Sequence, residues 1–399
     1  MTILELDNNI KGFSLPIKVK DNEEYRKRLE EELDKYLNSL KHPAFISEEG
    51  LFKEVKNTCE LILQVLDELI AERNEEADKK IEKMLNKFEG NSFFVSALSN
   101  SYSFRQSAPF SELRLPGYDQ EYSKMLNTKL TFYRVRTKKK ESSTNISEVE
   151  DMLHLPYDLR EKAGNMRFSS QCLPGLYLGV NTYTCSKECR WDKETEELYA
   201  SVFIPNEKGE KYRILNLTIP SSAINGIYRK ADPNDEKKKP LWIAMLKIFP
   251  LVIAISFTVE KEEEYKYHYL LSQSLMRVAN KCGIDGIAYL SMQGEDEFQF
   301  PQGVNLAIPA TDISENRRYS EKCEGFEISK PVKYQGQEEK NAQSYINKIY
   351  KKYDEWGWEE HISKLDVDGK EQFYGETIYG KFDNYLVLHM KREEACPQD

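Results

Sequence analysis

The sequence predicts an α+β protein, in which a helical N-terminal region precedes a mixed domain of short strands and helices. Two observations carry this. Phe52, Val55, Cys59, Ile62, Leu66 and Leu69 recur at alternating steps of three and four, which draws one apolar stripe along an amphipathic helix. From Leu130 onward the text changes to short runs with strand character: "LTFYRVR", "GLYLGV", "YRILNLTI", "LVIAISFTV", "GIAYLS" and "VNLAIP". One helical stretch, "HYLLSQSLMRVANKCG" over 268–283, lies among them and ends at Gly283 as a C-terminal cap would. Interleaved strands and helices of this kind make an α+β domain.

The elements divide the chain into three expected parts. Helices are read over 21–100, within an N-terminal region of 1–120 assigned a regulatory or localising role. Pro109, Pro116 and Gly117 punctuate a linker over 101–128. The mixed domain runs over 129–314. A C-terminal extension, 315–399, is expected to pack on it, with a helix at "NAQSYINKIYKKYDEW" and a strand at "NYLVLHMKR". The apolar run over 241–259 has the length of a membrane span, but Lys247 and Pro250 interrupt it. Pro250 is read as dividing a short helix from the strand "LVIAISFTV", so no membrane insertion is expected.

Composition narrows the function. The chain has 57 basic and 67 acidic residues among 399, a net charge of −10, which argues against general nucleic-acid binding. The N-terminus lacks the basic start and apolar core of a signal peptide, and seven scattered cysteines do not form a secreted disulfide framework. A cytoplasmic location follows as the expectation.

Metal chemistry is not expected. Cys185 and Cys189 stand four apart with Cys172 upstream, but no second Cys or His pair completes a four-ligand zinc site, and the five histidines are widely scattered. No phosphate-binding P-loop and no dinucleotide-binding glycine motif is present. A nucleotide would therefore be gripped by side chains, and arginine meets phosphate oxygens with a planar fork that stays charged. Attention falls on Arg134 in "FYRVR" and Arg167 in "MRFSS", each beside strand-forming aromatics. Tyr177 lies on a strand, Glu188 at the opening of a helix, and Ser291 at the end of a strand before a glycine-containing loop. Each alone has an ordinary structural reading: ion pair, core residue, exposed acid or turn serine.

In order and setting these segments resemble the RES-domain family. The resemblance rests on "FYRVR", "MRFSSQCLPGLYLG", the glutamate of "TCSKECR", "YLLSQSLMRVANKCGIDGIAYLS" and "GVNLAIP", over about residues 129–310. It implies an ADP-ribosyltransferase-like fold and an NAD-consuming toxin of a toxin–antitoxin pair. It assigns Arg134, Arg167, Tyr177 and Ser291 to binding NAD, with Glu188, Arg167 and Tyr177 at the chemistry. NAD is then the substrate, no further cofactor is called for, and a protein antitoxin is the implied partner. This chain departs from the family in having Ser169 after Arg167-Phe168, a long interval between Glu188 and Ser291, and the large helical N-terminal region. Water, inorganic phosphate and a protein side chain all remain open as acceptors of the ADP-ribosyl group. A non-catalytic interaction protein is the alternative of a different class.

Overall fold

The computed structural model describes residues 12–41, 50–105, 130–230, 239–260, 265–293, 303–314, 316–336, 364–367, 369–374, 377–389 and 391–394. The helix expected over 341–356, most of the linker and the loop from residue 294 lie outside them. The fold is α+β, with helices at the N-terminus. In chain order its main elements begin with β1 (Ile17–Val19), α1 (Asn22–Ser39), α2 (Leu51–Ile70) and α3 (Asn74–Phe88). Next come β2 (Phe132–Lys139), β3 (Gly175–Gly179), α4 (Thr182–Glu188), β4 (Glu196–Pro205) and β5 (Arg213–Leu217). Then follow α5 (Lys239–Ile255), β6 (Phe257–Val259), α6 (Tyr267–Lys281), β7 (Gly286–Leu290) and β8 (Val304–Pro309). The last are β9 (Phe326–Ser329), α7 (Ile378–His389) and β10 (Arg392–Glu394). The chain forms two compact units, one of residues 1–96, 161–173 and 213–292, the other of 97–160, 174–212 and 293–399.

In the first unit α1, α2 and α3 pack with α5 and α6, while β1 pairs in parallel with β6, and β5 with β7. Asp21 starts α1, its side chain accepting from the Glu24 amide at 3.0 Å, as an N-cap does. The α2 stripe is buried at Val55, Cys59, Ile62, Leu66 and Leu69. Phe52 departs from it at 38% exposed, because the first turn turns Leu51 inward instead.

Helix α5 corrects one expectation. It runs through Pro250 to Ile255, and only Phe257–Val259 is strand. A proline inside a helix costs about 3 kcal/mol. Ile248, Phe249, Leu251, Val252, Ile253 and Ile255 are all buried, each contributing about 1.5–3 kcal/mol, so burial outweighs the break. The hydrogen bond that Pro250 cannot donate would have gone to the Leu246 carbonyl one turn earlier. The Tyr36 hydroxyl donates to that carbonyl at 2.6 Å. Among the described residues, no helix is long and apolar enough to cross a membrane.

The second unit is an antiparallel sheet in the order β10-β9-β4-β2-β3-β8. Strand β4, "EELYASVFIP", escapes sequence reading because its first residues are acidic and its apolar run begins only at Leu198. The expected strand "NYLVLHMKR" is also corrected: α7 occupies it as far as His389, and strand resumes at Arg392. Thr377 starts that helix by accepting from the Gly380 amide at 3.0 Å. Phe382 and Leu386, four apart and therefore on one face, are buried against Tyr133, Val135 and Leu198. Tertiary burial at helical spacing overrides the strand propensity of Tyr-Leu-Val.

The role given to Tyr36 is testable. Tyr36→Phe should destabilise the chain by about 1–3 kcal/mol, since it strands a buried carbonyl. In a Pro250→Ala background, where the backbone can donate again, the same change should cost clearly less. Urea unfolding of the four chains of this cycle measures the difference.

Candidate functional site

Five residues were singled out by sequence; Arg134, Tyr177 and Glu188 belong to the second unit, Arg167 and Ser291 to the first. In the second unit, β2 pairs with β4 along its whole length, but with β3 only at Tyr133 opposite Gly179. Beyond that pair the ladder stops. The Arg134 guanidinium crosses to β3 there, donating from Nη1 to the Tyr177 carbonyl at 3.1 Å. Because side chains alternate along a strand, Arg134 and Arg136 share a face of β2, opposite the face on which Tyr133 and Val135 meet Cys185.

Both arginines are half-buried, and both Nε atoms are enclosed with no hydrogen-bond partner. Arg136 donates from Nη2 to the Leu153 carbonyl at 2.8 Å. Among the described residues, no carboxylate forms an ion pair with either one. Burial, followed by the neighbouring Arg136, lowers the Arg134 pKa to about 9, and burial lowers that of Arg136. His154, close by, is buried and held neutral, its pKa lowered chiefly by burial. Its Nε2 accepts from the Ser320 amide at 2.8 Å and its Nδ1 donates to Leu155 at 2.7 Å. The histidine is committed to the scaffold. Two adjacent cations with unmet donors and, among the described residues, no ion-paired acid form a place suited to an anion.

Glu188 departs from the sequence reading in one respect: it ends α4 and does not open a helix. Asn181 fixes the start, its side chain accepting from the Thr184 amide at 2.7 Å. The Thr182 amide donates to both carboxylate oxygens of Asp383, at 3.2 and 3.4 Å. At the other end, Asn305 Nδ2 donates to Glu188 Oε1 at 2.8 Å. Asn305 stands on β8 opposite Gly179, and Ala307 opposite Tyr177, so Tyr177 shares the face that receives Glu188. The contact is close because residue 179 is glycine. A Cβ there would lie 2.6 Å from Cys185 Sγ and 3.3 Å from Asn305 Oδ1. Sequence reasoning missed Arg136 and Asn305, although both lie inside the quoted motifs "FYRVR" and "GVNLAIP". Alternation from Arg134 would have found the first; nothing local marks the second.

In the first unit, the Arg167 guanidinium donates to the Ile255 carbonyl at 2.8 Å and to the Phe257 carbonyl at 3.0 Å. It also lies 5.0 Å over the Tyr269 ring, a cation–π distance. Gln273 fixes the turn that carries it, donating to the Met166 and Ser169 carbonyls at 2.9 and 3.3 Å. Phe168 packs on Tyr289 with ring centres 4.6 Å apart, and Ser291, which follows β7, is buried.

Cys185 shows no activation. Burial pushes the Cys185 thiol well above its usual range, the reverse of what a nucleophile needs. Cys185 donates instead to the Tyr133 carbonyl, at 3.2 Å. Among the described residues, no group of three His, Cys, Asp or Glu could hold a metal ion.

No protein-family model matches the chain. It is 28% identical over 212 residues to "Putative toxin YopC" of Bacillus subtilis (strain 168), a match over 51% of this chain and 46% of that protein. The chain thus spans about half the length of this curated relative. A likeness to a chain of the M. tuberculosis MbcT-MbcA toxin-antitoxin complex covers 52% of this chain and 85% of that one, at 11% identity and a TM-score of 0.25.

The glycine contact yields a prediction. Gly179→Ala should cost about 1–3 kcal/mol, the usual effect of forcing extra volume into a packed site. Cys185→Ala in the same chain should recover most of the loss. Thermal melting of the single and double variants measures both.

Proposed function

We propose that the chain is a toxin-like enzyme that degrades NAD by cleaving the bond between nicotinamide and ribose. The observation that carries the reading is Glu188, held by Asn305 on the face of β3 and β8 that also bears Tyr177; Arg134 and Arg136 stand on the other face of β2, and Arg134 reaches β3 at the Tyr177 carbonyl. The diphosphate of NAD supplies the anion that such a pair lacks. The resemblance to the RES-domain family and the toxin designation of a 28% identical relative point the same way.

The chemistry follows from the bond. As nicotinamide leaves, positive charge develops on the ribose, as it does in glycoside cleavage. A carboxylate against that sugar stabilises the charge and accepts from its hydroxyls, which is the role of Glu188. Nicotinamide departs neutral, so no strong general acid is needed, in keeping with a histidine held neutral and engaged. Arg134 grips the diphosphate and Tyr177 packs against the nicotinamide ribose. Arg167 and Ser291 take their roles from the sequence resemblance: Arg167 as a second diphosphate contact, Ser291 as a hydrogen-bonding group for a ribose or phosphate oxygen. A protein antitoxin as partner belongs to the same reading.

Incubating the chain with NAD, with and without inorganic phosphate, identifies the acceptor from the product. Free ADP-ribose marks a glycohydrolase, ADP-ribose phosphate a phosphorylase, and labelled protein an ADP-ribosyltransferase. No turnover under any of these conditions would favour the non-catalytic interaction protein. Glu188→Gln should lower turnover by on the order of a hundredfold or more while the melting temperature stays near the parental value. A folded variant consuming NAD at the parental rate would remove Glu188 from the chemistry. Arg134→Met should raise KM for NAD about tenfold or more and change stability little, because the loss of a charge with no ion-pair partner offsets the loss of the bond to the Tyr177 carbonyl. Kinetics and melting on one preparation read both effects.

A further inference from the structure

Helix α4 has seven residues, about 10 Å of helix, and is too short to persist without outside support. What fixes the Glu188 carboxylate at its last residue is therefore whatever fixes the helix. At the C-terminal end that is Asn305. At the N-terminal end, the amides of the first turn have no partners within the helix. Asn181 takes the Thr184 amide, and the Asp383 carboxylate takes that of Thr182 with both oxygens. Asp383 is held in turn by the Tyr374 hydroxyl. Asp383 is 3% exposed and Tyr374 5%. Phe382 and Leu386, on either side of Asp383 along α7, sit in the cluster that includes Tyr133, Val135 and Cys185. Helix α7 thus meets α4 through one buried carboxylate flanked by apolar packing.

We infer that Asp383 is a positioning residue for Glu188: from the C-terminal helix it clamps the start of α4 and so sets where the carboxylate at the far end stands. This rests on the reading of Glu188 given above. A carboxylate is an unfavourable choice for stability alone. Among the described residues no Lys or Arg pairs with it, and burial raises its carboxyl pKa to about 7. The groups facing it are Thr182 and Tyr374, with Tyr133 and Cys185 near enough to feel its charge. A carboxyl raised in the folded chain binds its proton more tightly there than when unfolded. Its contribution to stability therefore declines as pH rises from about 4 to about 7. What the anion supplies in exchange is a charge-assisted bond to a helix N-terminus, which a neutral apolar residue cannot make.

The test compares the full chain with Asp383→Ala and Asp383→Asn, the latter keeping an acceptor for the Thr182 amide. NAD kinetics and hydrogen exchange of the amides over 182–188 are read on each. For Asp383→Ala the expected result is a fall in kcat of on the order of ten- to a hundredfold, with KM within about twofold of the parent. Exchange over α4 should quicken, and Asp383→Asn should keep most of both properties. Should Asp383→Ala fail to fold, Tyr374→Phe removes only the brace on the carboxylate and should shift both readouts in the same direction. Unchanged exchange would mean that no clamp exists. Faster exchange with parental kcat would mean that the clamp does not reach Glu188, and equal losses in Ala and Asn would mean a purely structural role. A parental chain that consumes no NAD would sink the NAD reading, leaving the exchange measurement to decide the clamp alone.

Discussion

Two half-buried guanidinium groups stand side by side on one face of β2, and among the described residues no carboxylate forms an ion pair with either. A folded chain ordinarily neutralises a sequestered cation or leaves it in water. Here the ladder between β2 and β3 stops after one pair, and Arg134 spans to the Tyr177 carbonyl beyond it. The neighbouring histidine is kept neutral and tied into the backbone, so it neither balances nor adds to the charge. Such an arrangement is costly in isolation, and a bound anion would offset the cost. Functional sites are where locally unfavourable groups are retained.

On the opposite face of the sheet, the remaining parts are supports for α4. Gly179 lets α4 lie close on the sheet, Asn305 receives the glutamate, and α7 closes over the helix from the other side. None of these supports is itself reactive. Their effect is geometric, and small displacements of a reacting group change rates steeply. A short helix anchored at both ends is a precise mount for one side chain.

Much of this was legible in the sequence, and the limits have physical causes. The α2 stripe announced its helix because period alone defines a buried face, and the runs around Arg134, Tyr177 and Ser291 announced strands or strand ends. Segments whose burial contradicts their local text were misread. Pro250 looked like a break, but the apolar surroundings of α5 and the Tyr36 hydroxyl compensate for it. The β-branched and aromatic run at 384–392 looked like a strand, but Phe382 and Leu386 make it a helix. Arg134 stood out by its residue type. The supports did not: Asn305 is 117 residues from Glu188 and Asp383 is 201 from Thr182. Partnerships across such distances leave no mark on either segment.

The first unit is assembled from three separated stretches of chain. Helices α1 to α3 complete their packing only with α5 and α6, which the ribosome makes after the intervening stretch. At about 5–20 residues per second the wait is on the order of ten seconds. Through that interval the oily flank of α2 has only α1 and α3 to lie against. The residues bonded to α4 come later still, since Asn305 and Asp383 are made after the last stretch of the first unit.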